Sequence, residues 1–177
     1  FRTMNKTTLI NEIRARLNNP LLIKQSDQSL CGPMALLVAL AKKNPERYVQ
    51  MAQSMYEDGR YSEIEPGSHL YTAPVPSGVA QVDWLLGASM RDSENWLFDF
   101  DEGDEFAGIT TPGEMEYWME LLLECGETEY IPTYNLPWDT DEKDALRQAW
   151  DAVRAGNVAA LMVDSDYLPG EGPAEIN

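Results

Sequence analysis

Gln25 and Cys31, followed by Gly32 and Pro33, are the residues whose types and spacing suit covalent chemistry. Cys31 stands where the polar stretch Gln25–Ser29 gives way to an apolar run, Met34 to Ala41. Gly32 permits tight backbone geometry, and Pro33 suits a first helical turn, where its missing N–H leaves nothing unpaired. The run after it has almost no polar face, so it reads as a buried helix. A thiol at the start of such a helix meets free N–H groups and the positive end of the helix dipole, which favour the thiolate. Six positions earlier, Gln25 offers a neutral donor to an oxyanion forming beside Cys31. Nucleophile, activating field and oxyanion donor are the requirements of acyl transfer by cysteine. Gln28 is an alternative donor, three residues from Cys31.

The pattern Gln-x5-Cys-Gly ahead of a helix of small and aliphatic residues resembles the papain-like cysteine peptidases. Within them it is most similar to the bacterial double-glycine-peptidase branch and to papain-like toxin domains. The resemblance covers Gln25 and Cys31. It implies that Cys31 is the nucleophile and that Gln25 helps form the oxyanion hole. It also implies a histidine base on a later strand, oriented by Asp or Asn, and a protein substrate. The implied fold is α+β, a helical half carrying Cys31 followed by a small antiparallel sheet. His69 is the chain's one histidine. It falls in the Pro/Gly-rich stretch Arg60–Ser77, ahead of any strand signal, and a lone loop histidine is ordinarily a surface residue. The base is therefore expected beyond Asn177, with residues 1–177 forming one papain-like domain that lacks its C-terminal strands.

The elements that must position these residues follow from periodicity and punctuation. Residues 4–18 read as an amphipathic helix ended by Asn18-Asn19-Pro20, and Leu21–Ile23 as an extended lead-in. Pro45 opens a second amphipathic helix, with Gly59 just past its end. A helix is expected over Gly78–Arg91. Thr111-Pro112-Gly113-Glu114 is a capping box that opens another, closed by Gly126. Asp139 and Glu142 mark a similar start, for a helix reaching Ala155. Glu129–Asn135 and the wholly apolar Val158–Val163 read as strands, the latter covered on both faces.

Composition bounds the function classes. A formal net charge of -17 repels phosphate backbones and argues against nucleic-acid partners, while suiting a cationic partner. No apolar run is long enough to span a membrane. Cys31 and Cys125 do not make a disulfide framework, and reduced thiols suit a reducing compartment such as the cytoplasm. Cys125 reads as a packing residue. Asp99–Glu105 is acidic but fails the calcium-loop template, since Gly103 stands where Asp or Asn is needed and Asp104 where Gly is needed. Asp164-Ser165-Asp166 reads as a turn. Neither a metal nor a cofactor is expected.

Three functions fit. The first is a cysteine peptidase; the papain-like resemblance implies an effector or toxin that cleaves a target protein, delivered into the target's cytoplasm and matched by a neutralising immunity-type protein. The second is a glutamine deamidase or related acyl-transfer toxin using the same first half-reaction. The third is a non-catalytic interaction module.

Overall fold

A computed structural model describes residues 1, 3–26, 28–94, 110–133 and 140–162. The chain divides into two compact units, Phe1–Tyr130 and Ile131–Asn177. The first contains helices α1 (Lys6–Asn18), α2 (Cys31–Lys43), α3 (Pro45–Asp58), α4 (Gln81–Glu94) and α5 (Pro112–Leu123). Short 3₁₀ turns occupy Pro20–Leu22 and Ser68–Tyr71. The second unit contains α6 (Glu142–Arg154).

Helix α2 is the centre of the first unit. It packs against α1, α3, α4 and α5, as a helix without a polar face must. Leu36, Leu37 and Leu40 are fully buried, each stabilising the fold by roughly 1.5–3 kcal/mol relative to exposure. Asn44 joins α2 to α3 alone. Its backbone N–H donates to Leu40 O at 2.8 Å, closing α2, and its side chain accepts from Arg47 N at 3.1 Å, opening α3. Tyr48, Met51, Ala52 and Met55 of α3 then lie in the core. Gly59 ends that helix at φ 73, a left-handed conformation that suits glycine. The capping box at Thr111 and Glu114 forms at the start of α5.

The expected sheet is corrected. Among the described residues there is no strand, only an isolated antiparallel bridge between Tyr61 and Ile64. Residues 129–133 and 158–162 form none, so the α+β assignment fails and the described fold is helical. A strand needs a neighbour for its backbone groups, and no described segment pairs with Val158–Met162. Instead of being covered, Leu161 and Met162 are 56% and 78% exposed. A short apolar run does not distinguish strand from other structure by periodicity alone. The Pro20–Leu22 turn likewise replaces the extended lead-in. Tyr134, Asn135, Asp139, Val163 and the segments Asp99–Glu105 and Asp164–Asp166 lie outside the described residues.

Other boundaries shift for identifiable reasons. Helix α4 begins at Gln81, and its Val82 N–H donates to Glu12 Oε2 of α1 at 3.0 Å. Helix α5 ends at Leu123, with Glu124 left-handed at φ 54, so Cys125 lies past the helix. Helix α6 is capped by Asp141, which accepts from Lys143 N at 2.9 Å. No helix among the described residues is long and apolar enough to cross a membrane.

Candidate functional site

Cys31 is the first residue of α2, and it is exposed although the helix behind it is buried. Leu30 stands at the N-cap, and no side chain caps the helix. Among the described residues no side chain is recorded accepting from the first-turn N–H groups of Cys31 and Gly32, and Pro33 has no N–H to offer. The thiol sits where a helix presents donors to an anion.

Gly32 lets this helix start dock. A Cβ there would meet Thr110 Oγ1 and lie 2.6 Å from Thr110 Cγ2 and 2.8 Å from Thr110 Cβ. Thr110 is itself buried and accepts from Arg91 Nη2 at 2.7 Å. Gly32→Ala is expected to destabilise the protein by about 1–3 kcal/mol, as overpacking does, read from urea unfolding. A variant as stable as the parent would show that Thr110 can retreat.

Gln25 is half-buried, six residues ahead of Cys31. Its carbonyl accepts from Gln28 N at 3.2 Å, and Gln28 O accepts from Leu30 N at 2.8 Å. Ser26 between them is left-handed at φ 53. It faces Gly78, whose added Cβ would lie 3.1 Å from Ser26 Oγ. Gln28, the alternative donor, is buried at 7% exposure.

His69 is not an ordinary surface residue. It belongs to the Ser68–Tyr71 turn, with Nε2 3.4 Å from Asp92 Oδ1 near the end of α4. Asp92 is buried and also accepts from Gly67 N at 2.6 Å. A carboxylate thus holds both the imidazole and the backbone of its loop. The sequence reading missed Asp92, because nothing local distinguishes it from any acid closing an amphipathic helix.

Beside this pair, Arg91 is 1% exposed. Its Nη1 donates to Glu114 Oε1 at 3.0 Å, and the guanidinium lies 4.9 Å from the centre of the Trp118 ring. Glu63 Oε2 accepts from Tyr117 Oη at 2.6 Å. Burial, then Glu63, pushes the Tyr117 hydroxyl up to about 12. Glu94 is raised above the ordinary carboxylate value, first by burial and then by the charge of Glu114, with Glu63 adding and Arg91 opposing. Among the described residues no group of three or more His, Cys, Asp or Glu side chains could hold a metal ion.

Comparison with protein-family models, curated proteins and solved structures gives no match.

Proposed function

We propose that the chain is a cysteine-dependent hydrolase of peptidase type that acts on a protein substrate. The observation behind this reading is the exposed Cys31 at the uncapped start of the buried α2, six residues after Gln25. The thiolate attacks a backbone carbonyl carbon, forming a C–S bond as the C=O electron pair moves onto oxygen. The Gln25 side chain and the Cys31 N–H hold that oxyanion. Collapse breaks the C–N bond and expels the amine, which takes its proton from solvent water, and a second water then breaks the C–S bond, releasing the acid and regenerating the thiolate.

The papain-like resemblance rests on Gln25 and Cys31 and extends the proposal to an effector that works in the reducing cytoplasm of a target cell. A neutralising partner protein belongs to the same proposal, and the charge of -17 suits a cationic face on that partner or on the substrate. A deamidase shares the first half-reaction. Intact-mass analysis of treated proteins separates the two, since fragments mark a peptidase and an amide-to-acid mass gain marks a deamidase. A third reading is a non-catalytic interaction module.

Iodoacetamide discriminates between catalysis and the module. Catalysis predicts that Cys31 in the folded protein alkylates faster than Cys125, and faster than Cys31 in the urea-unfolded chain. A folded Cys31 no faster than the unfolded one would defeat the enzyme reading.

Gln25→Ala is expected to lower acyl transfer to Cys31 by about 10²–10³, the loss typical of one oxyanion donor, with alkylation unchanged. A larger loss from Gln28→Ala would reverse the assignment.

A further inference from the structure

We infer that the buried Arg16–Asp83 pair is the positioning device for Gln25, fixing the backbone from which the oxyanion donor projects. The inference rests on the roles proposed above for Gln25 and Cys31. Arg16 Nε donates to Asp83 Oδ1 at 2.7 Å, and Nη2 donates to Asp83 Oδ2 at 2.7 Å. The two side chains are 9% and 1% exposed. Burial works against the Arg16 charge, but the hydrogen bonds and charge of Asp83 outweigh it, so the guanidinium is held more firmly protonated than usual.

A buried ion pair is weak evidence of a stabilising role, because well-packed apolar side chains often serve stability as well or better. What apolar side chains cannot supply is hydrogen bonds to the main chain. Here the pair makes them on both sides of Ile23. Arg16 Nη2 donates to Leu22 O at 3.4 Å, and Asp83 Oδ2 accepts from Lys24 N at 3.1 Å. Ile23 itself is buried. Gln25 is the next residue after Lys24, so its backbone starts from a fixed point.

The far end of the segment is set by the same helix. One turn after Asp83, Gly87 lies against Met34 and Leu30, and an added Cβ would stand 3.4 Å from Leu30 Cδ1. Leu30 is fully buried and immediately precedes Cys31. Residues four apart share a helix face. One face of α4 therefore sets both where Gln25 begins and where Cys31 begins. A donor displaced by about 1 Å can lose about 10²-fold in rate, so such a ruler has a kinetic consequence.

The test compares acylation with alkylation of Cys31. With p-nitrophenyl acetate, sulfur bonds the acetyl carbon through an oxyanion and p-nitrophenolate leaves with its electron pair. With iodoacetamide, sulfur displaces iodide and no oxyanion forms. Arg16→Met/Asp83→Leu removes the pair and both backbone bonds. It is expected to stay folded, to lower acylation by about 10- to 100-fold, to leave alkylation unchanged, and to speed hydrogen exchange at the Lys24 amide. Arg16→Met/Asp83→Asn, which keeps an acceptor for Lys24 N, is expected to restore most of the acylation and the amide protection. Lys24→Pro removes the Lys24 N–H and leaves the ion pair, while its ring also fixes φ at position 24 and restricts Ile23; it serves if the apolar pair does not fold, and it should lower acylation with alkylation unchanged.

Parental acylation in folded Lys24→Pro and in the folded apolar pair would overturn the inference. An unprotected Lys24 amide in the parent protein would overturn it as well. Failure of the underlying reading has a different signature, namely no loss of acylation in Gln25→Ala, whatever the Lys24 amide does.

Discussion

Cys31→Ala is expected to abolish acyl transfer while changing the unfolding free energy by no more than about 0.5 kcal/mol, the range of surface substitutions. The two halves of that expectation come from one position. Cys31 heads α2 but is exposed, so its sulfur fills no core space. The packing of the helix begins with Gly32, Pro33 and Met34, which are buried. A side chain that can be deleted at so little cost in stability can be tested for chemistry without confusion from unfolding. Urea unfolding reads the first quantity, and release of p-nitrophenolate together with cleavage of candidate target proteins reads the second. Activity retained in Cys31→Ala would end the hydrolase proposal. A large loss of stability would mean that the thiol packs more than its exposure indicates.

Arg91→Met is expected to have the largest effect on the fold, at about 3–5 kcal/mol, the cost of removing one partner from a buried charge pair. Arg91 is the cation facing Glu114 and Glu94, and it lies over Trp118 and donates to Thr110. Without it the carboxylates face one another. The deficit should depend on pH, and its sign follows from Glu94. The folded-state pKa of Glu94 is raised. The stability it contributes is fully present below the unfolded value of 4.5 and is lost as pH rises through the raised folded value. Because Arg91 opposes that rise, removing it raises Glu94 further. The variant should therefore recover part of its deficit as pH falls from neutrality toward the unfolded value of 4.5, measured by urea unfolding at each pH. A pH-independent deficit would mean that lost packing on Trp118, not charge, dominates.

What the sequence made legible was local. Asn44-Pro45, Gly59 and the Thr111–Glu114 capping box carry their instructions within a few residues, and the helices they bound are present. The buried character of α2 follows from its composition, and Cys31 falls at its start as expected. What was not legible depends on partners distant in the chain. The start of α4 is met by Glu12 of α1, which a periodicity read over Gly78–Arg91 cannot include. His69 looked like a loop residue because Asp92 reaches it from another element. The need for glycine at position 32 is set by Thr110. Val158–Val163 looked like a strand because apolar and β-branched residues fit a pleated surface, but propensity does not supply the neighbouring strand that makes such a surface.

The single residue between α2 and α3 bears on how fast this chain folds. Because Asn44 closes one helix and opens the next, the contacts between the two lie close in sequence and need almost no loop closure. Contacts of that kind form early in folding. Those that bring α1 to α4, such as Arg16 with Asp83, must wait for the intervening chain to order. The α2–α3 corner is thus a natural nucleus. Asn44→Ala should slow refolding and leave the unfolding rate almost unchanged, whereas Arg16→Met should mainly speed unfolding. On that order of events, the helix that carries Cys31 is built before the Arg16–Asp83 pair that holds Leu22 and Lys24. On the proposed roles, a refolding chain would regain the nucleophile Cys31 sooner than the oxyanion donor Gln25.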